Sequence, residues 1–444
     1  MAFTGWFRKF INPSNFFEAQ RPIILYTCLG GMTPFTIVNS RLQCTPFGYV
    51  NSFVQTMIFV LCYIVTIVEH ESVTGYFFDS NISNFGDFLQ TATGIGALVM
   101  TFLYSIAQRH KLIAAFHSLA RTDEHLAEIG VEISYKKTLF RNYMVVLFQL
   151  IVLFSYFATT MSIVLISGFP FSITAWMSFM LPFMMISMIT VLFVSLLNQS
   201  RCRFQQLNKV LCLMRNKTVD KVLLQFTNQH VNEQVKIQNP FGVSSVFSVK
   251  TNRQMPNVIN RVASIQSEIC DACDCVEDYF KVQMLTIVAI SFLISVFDWY
   301  YILETIFTDD HTDSRFSRLQ FVAFFLYQGL MHVIVVIKIV IFASLAVQEN
   351  KQIAVNVHKL INVNNYDDEL TKQLTNLSLQ MTHRKVAFTA YGFFKLDFTL
   401  LFTLVGAATT YLVILVQFSL NQSQPCNQSM INYVTTPANT TLSP

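Results

Sequence analysis

Residues 410–418 read TYLVILVQF: Thr410 and Tyr411, five aliphatic residues, then Gln417 and Phe418. They close an apolar run, 396–419, long enough as a helix to cross about 30 Å of hydrocarbon. An amide such as Gln417 at the end of a spanning helix is costly unless it faces water or protein. The tail beyond it has no Lys or Arg and carries Asn-x-Ser/Thr acceptors at Asn421, Asn427 and Asn439. Those features place the carboxyl end outside the cell. A helix with a wet face at the outer side of a membrane is what a pore wall requires.

The rest of the chain supports a membrane setting. Of 444 residues, 53% are hydrophobic, 43 are Phe and only 13% are charged, against about 25% charged residues in a soluble protein. The net charge of +4 gives no argument for a nucleic-acid partner. Spans are predicted at 47–69, 88–107, 142–165, 174–197, 282–306, 319–344 and 396–419. A shorter run, 22–38, holds Gly30, Gly31 and Pro34 and reads as an interfacial or re-entrant piece. No cleavable signal peptide precedes the first span, which would act as the signal anchor.

The cations orient the spans. Four Lys or Arg lie in residues 1–46, six in 108–141, eleven in 198–281 and six in 345–395, together 27 of the 30. Only Arg315 and Arg318 lie on the opposite side, and Lys338 falls within the sixth span. The cation-rich side is cytoplasmic, so the amino end is inside and the carboxyl end outside. Asn81 joins the three tail sequons as an external glycosylation acceptor, while the sequons at Asn198, Asn216 and Asn376 fall inside.

The predicted layout is then a cytoplasmic amino-terminal segment with an interfacial helix (1–46) and four spans (47–197). A cytoplasmic loop and anchor helix (198–281) and two spans (282–344) follow. Cytoplasmic anchor helices (345–395), a pore-lining span (396–419) and an extracellular tail (420–444) complete it. Residues 216–254 are polar and aperiodic and read as a loop. Val258, Val262, Ile265, Ile269, Cys273, Val276 and Phe280 then repeat at three and four, as do Leu370, Leu374, Leu377 and Met381. Such stripes bury against partner helices and predict a helical layer beneath the membrane. Cys270, Cys273 and Cys275 lack a nearby fourth metal ligand and read as reduced thiols on a packed helix.

Two features carry candidate function. In the last span, Tyr411, Ile414 and Phe418 share one face and Thr410, Val413 and Gln417 an adjacent one. A small rotation would exchange an apolar constriction for a ring of amides; alternatively the helix faces lipid and Gln417 meets the headgroups. One helix cannot enclose a pore, so the gate reading requires a symmetric oligomer, with Gly406, Ala407 and Ala408 small enough for close packing. The outer halves of the other spans collect aromatic and polar residues suited to holding a small ligand: Tyr156, Thr159, Trp176, Phe179, Phe183, Asp298, Trp299, Tyr300, Tyr327, Gln328 and His332. Trp176, Trp299 and Tyr300 also fit an interfacial belt. Lys338 either meets a counter-ion or snorkels to the cytoplasmic interface. The sequence holds no phosphate loop, H-E-x-x-H or nucleophile elbow, so an enzyme is not expected, and no cofactor is implied.

Thr-Tyr, five hydrophobic residues and Gln-Phe in the last helix is the hallmark of the insect gustatory receptors, which this chain resembles. The likeness runs upstream through SLQMTHRKVAFTAYGFFKLDFTLLFTLVGAATTYLVILVQF (378–418). With SEICDACDCVEDYF (267–280), MAFTGWF and RPI at 21–23, that segment is similar to the gustatory receptor 28 subgroup. The resemblance implies an all-α tetrameric channel, homomeric or built with related subunits, in the plasma membrane of sensory neurons. It implies a ligand-gated cation conductance opened by a small-molecule tastant, bitter or nutrient, or by warmth or light. Four copies of the last helix would line the pore, with Ile414, Gln417 and Phe418 at pore or gate positions. A G-protein-coupled receptor would put the amino end outside, contrary to the cation bias. A transporter would show internal repeats, which this sequence lacks.

Overall fold

A computed structural model describes residues 12–38, 41–69, 81–167, 173–230, 255–307, 318–363 and 368–423. Helix α1 (Phe16–Leu29) opens on Asn15, whose side chain accepts the Glu18 backbone N–H at 2.9 Å. Ser14 donates its hydroxyl to the Glu18 carboxylate, also at 2.9 Å, so the first turn has its donors satisfied from both directions. A hairpin of β1 (Phe35–Val38) and β2 (Arg41–Cys44) follows, Phe35 facing Cys44 and Val38 facing Arg41. The run at 22–38 is therefore divided between the end of α1 and strand β1 rather than one element. Its helical part is buried against its neighbours at Ala19, Ile23 and Ile24, and at 14 residues α1 is too short to cross a bilayer.

Seven helices are long and apolar enough to span. They are α2 (Pro46–Val68), α3 (Asn81–Ala107), α5 (Tyr135–Ser167), α6 (Ile173–His230), α7 (Met255–Phe307), α8 (Arg318–Val363) and α10 (Phe398–Ser423). Helices α4 (Arg109–Glu128) and α9 (Asp368–His383) lie between them. Thr45 caps α2 by accepting the Gly48 N–H at 3.2 Å, with Pro46 in the first turn. Gly48 is required there, because a Cβ on it would stand 2.5 Å from the Pro34 carbonyl oxygen.

The long helices change the predicted organisation. α6, α7 and α8 have 58, 53 and 46 residues. At about 1.5 Å per residue each is far longer than the hydrocarbon, so each span and the extension beyond it form a single continuous rod. Of the loop predicted at 216–254, residues 216–230 are instead helical and continue α6 to His230, while 231–254 lie outside the described residues. Of the first predicted stripe, Val262, Ile265, Ile269, Cys273, Val276 and Phe280 are buried and Val258 is partly buried, with Ile259 beside it taking the buried place; Leu370, Leu374, Leu377 and Met381 of α9 are buried as well, so both predicted stripes are packing faces.

Polar ties hold this layer in register. Arg203 of α6 is buried, with Nη2 2.8 Å from the Asp123 carboxylate of α4. It also donates to the carbonyls of Leu119 and Gln199 and lies over the Phe16 ring. Burial lifts the Asp123 carboxyl above the ordinary carboxylate range, opposed by Arg203 and the Tyr135 hydroxyl. Asn356 donates to Asn208 at 2.9 Å and Asn208 to the Glu349 carbonyl at 3.0 Å. Cys270 and Cys273 are buried on α7, with the Gln266 amide 3.0 Å from the Cys270 sulfur.

Between α9 and α10 the chain makes a second small hairpin, β3 (Thr389–Ala390) with β4 (Phe394–Lys395). Tyr391 and Gly392 at its tip both have positive φ, 52° and 79°, as a tight hairpin turn demands. Arg384 bonds Ser267 and pairs with Asp271, and Thr389 donates its N–H to Glu277 at 3.1 Å. The segment leading into α10 is thereby clamped along α7. An otherwise all-α fold thus contains two short hairpins that periodicity did not announce.

Candidate ligand pocket and pore face

Four helices converge on the outer aromatic cluster. Pro182 interrupts the hydrogen-bond ladder of α6 just before Phe183. The rings of Phe183 and Tyr156 of α5 lie 4.3 Å apart between centroids. Tyr156 stacks on Tyr327 of α8 at 6.2 Å, and Phe183 meets the His332 ring edge-on at 5.4 Å. Tyr327 is oriented through its hydroxyl, 3.0 Å from Ser155 Oγ. On α7, Asp298 is 2% exposed and lies within electrostatic reach of the Tyr156 phenol. A methyl group on Gly329 would touch Asp298 Oδ2 at 3.6 Å, so the absence of a side chain there lets α8 approach the carboxyl.

The chemistry of this cluster lies in its unmet valences. Asp298 Oδ2, Gln328 Oε1, His332 Nε2 and Trp176 Nε1 are buried without a hydrogen-bond partner among the described residues. His332 Nδ1 lies 3.1 Å from the Gln328 carbonyl oxygen. A carbonyl can only accept, so Nδ1 carries the proton and Nε2 of the neutral ring is an acceptor. Three of the four unmet groups therefore accept hydrogen bonds. Buried polar atoms are costly when unpaired, and this set is ready for water or for a ligand presenting N–H or O–H.

Tyr156, Asp298, Tyr327, Gln328 and His332 thus converge as a group. Phe179 stacks on Phe324 at 6.3 Å, and Trp176 packs edge-on against Phe157 at 4.1 Å. Thr159 donates its hydroxyl to the Ser155 carbonyl at 2.8 Å. Trp299, 36% exposed, looks outward, the geometry of a belt residue rather than a pocket wall. Tyr300 is buried in a neighbouring cluster with Tyr301 and Phe325. Sequence reading overlooked Ser155; the signal was a hydroxyl one helical turn before Thr159. Lys338 lies over the Phe148 ring of α5, 5.7 Å from its centroid, rather than against a carboxylate. Asn81 begins α3 and Asn421 lies in the last turns of α10, while Asn427 and Asn439 fall outside the described residues.

α10 is a different kind of surface. Leu401, Leu404, Leu412 and Leu415 pack against the rest of the chain, and Tyr411 meets Phe292 of α7 at 6.0 Å. At about 100° per residue, the side diametrically opposite that stripe carries Gly406, Thr410, Val413 and Gln417. All four are exposed. Ile414 and Phe418 are exposed on the flank. The Thr410 hydroxyl bonds back to the Gly406 carbonyl at 3.0 Å. Gly406 has open space where its Cβ would be, so its smallness serves no contact within the chain. Of the two faces read from the sequence, the polar one points away from the subunit's own body. Tyr411 is partly committed to packing within it.

Seven helices among the described residues that are long and apolar enough to span, with a buried aromatic and polar cluster between them, are the architecture of a multi-pass membrane protein. A family model described as 7tm chemosensory receptor matches residues 20–422. The chain is 34% identical over 432 residues to gustatory receptor 28a of Drosophila melanogaster, covering 94% of this chain and 95% of that protein. It therefore belongs to the insect gustatory receptor family, a receptor family and not an enzyme one. The fold is similar to the insect olfactory receptor OR5 from Machilis hrabei, with TM-score 0.59 at 12% identity over 89% of this chain and 97% of that one. Against the same receptor in complex with eugenol the TM-score is 0.52 at 13% identity, with 89% and 97% covered.

Proposed function

We propose that this chain is a gustatory receptor that acts as a ligand-gated cation channel, assembled as a tetramer of itself or with related subunits. The observation that carries the reading is α10: a spanning helix that leaves Thr410 and Gln417, with Val413 between them, exposed on the side away from its own packing stripe. An exposed amide such as Gln417 in hydrocarbon is costly, and symmetric copies around a water-filled axis would remove that cost. The amino end is cytoplasmic by the cation bias. On that orientation α4, α9 and the inner ends of α6, α7 and α8 form the anchor layer.

The outer cluster is the tastant pocket of this reading. Its rings offer aromatic contact and its acceptors favour ligands that donate hydrogen bonds, such as hydroxylated or amine-bearing bitter or nutrient compounds. A solved relative of the same fold is in complex with eugenol, which supports a small-molecule ligand. Warmth and light are further stimuli consistent with the subgroup resemblance. The site of action is the plasma membrane of sensory neurons. The test is whole-cell current from cells expressing this chain alone, with G proteins blocked, against bitter compounds, sugars and nucleosides and during a temperature ramp. A fast cation current is expected. If currents need a G protein, or if terminal tags place the amino end outside, the channel reading fails in favour of a G-protein-coupled receptor.

A further inference from the structure

A cavity of about 530 Å³ lies at the foot of α10. Its walls come from the inner end of α8, the end of α9 and the linker into α10, and they include Ser344, Lys351, Lys385, Phe388, Lys395 and Asp397. Three ammonium groups thus share one cavity with a single carboxylate. That carboxylate is already engaged: Asp397 accepts the Thr399 backbone N–H at 2.9 Å and the Thr399 hydroxyl at 2.5 Å, capping α10. These bonds hold its pKa below the ordinary range. The nearby acids are taken as well, Asp271 and Asp274 by Arg384 and Glu277 by Thr389. Lys351 and Lys385 have no carboxylate partner among the described residues. Ser344 Oγ, also on the wall, is buried without a hydrogen-bond partner.

We propose that this cavity binds a phosphate monoester, with its oxygens on Lys351, Lys385 and Lys395. Three lysines and one aspartate leave an excess of two positive charges, and a phosphate monoester carries about two negative ones near neutral pH. Much of the remaining wall is apolar, including Val347, Ala354, Val386 and Phe388. The cavity opens where spanning helices meet the cytoplasmic layer. A lipid phosphate with its acyl chain against that apolar wall fits better than a free ion. Under the channel reading, on which this consequence rests, an occupant would brace residues 384–397 against α8 and alter how readily α10 moves.

The full-length chain in phosphatidylcholine nanodiscs, titrated with dioctanoyl phosphatidic acid and separately with inorganic phosphate, tests the site through ligand-dependent thermal stabilisation. Stabilisation by the lipid is expected, with K351Q/K385Q/K395Q weakening apparent affinity roughly tenfold or more and K351R/K385R/K395R retaining it. The single K385Q, at an exposed position, keeps the test meaningful should the triple variant misfold. Equal stabilisation by inorganic phosphate would overturn the lipid source and leave a soluble-phosphate site. No stabilisation by either, or stabilisation indifferent to the glutamine variants, would overturn the site itself. The assay requires no current, so failure of the channel reading would not imitate failure here.

Discussion

α6 and α10 are both apolar spanning helices, yet 78% of the most apolar stretch of α6 is buried inside the chain and 6% of that of α10. Composition does not separate them; what lies around them does. α6 runs through the middle of the bundle, shared with α7 and α8, and continues past the span as the same rod. α10 leans on α7 and α8 through one leucine stripe and leaves its remaining faces bare. The first helix stabilises one chain. The second has a surface open to lipid, water or further copies, and under the proposed channel reading Gln417 on it meets water and copies rather than lipid.

The contrast breaks most visibly if a residue of the buried layer can be lost without effect. Arg203→Ala removes the only cation facing Asp123 among the described residues and leaves a buried carboxylate uncompensated. A loss of about 3–5 kcal/mol is expected, read as a large fall in Tm in detergent and in surface expression. A wild-type Tm would mean that the cytoplasmic layer does not depend on this tie.

The outer cluster should respond in function rather than in folding. Asp298→Asn keeps shape while replacing one carboxyl oxygen with an amide nitrogen. The half-maximal ligand concentration should shift by roughly tenfold or more, with single-channel conductance unchanged. Tyr327→Phe removes one hydroxyl and His332→Ala removes both ring nitrogens and the edge-on contact with Phe183, and a shift of about threefold to tenfold or more is expected. Dose–response curves that superimpose on wild type in all three variants would dismiss the cluster as the tastant pocket.

Much of this contrast was legible in the sequence, for physical reasons. Spans announce themselves by length. The Leu370–Met381 stripe announced burial because helical periodicity is local. The aromatic and polar cluster was legible only as a set: Tyr156, Asp298, Tyr327, Gln328 and His332 lie on three helices, and their convergence depends on helix rotation that no local pattern encodes. Trp299 shows the cost, since it neighbours Asp298 in sequence and points the other way. The β3–β4 hairpin was invisible because two-residue strands carry no periodicity. The extension of α6 to His230 was missed because a polar segment can remain helical as the end of a longer rod.

The smallest expected change in stability belongs to the α10 face, and it is the sharpest use of the comparison. Gln417→Ala touches no packed neighbour, so stability should move by no more than about 0.5 kcal/mol, against several for Arg203→Ala. Conduction should change all the same, in open probability or ion selectivity, because the amide faces the proposed axis. Cysteine placed at Val413 adds a direct readout: a water-soluble thiol reagent should reach it and block current, while cysteine at Leu412, packed against the subunit's own body, should be protected. Equal protection at both positions would mean that the bare face of α10 is turned to lipid or to another apolar surface. The polar row would then be a helix end at the headgroups and not the wall of a pore.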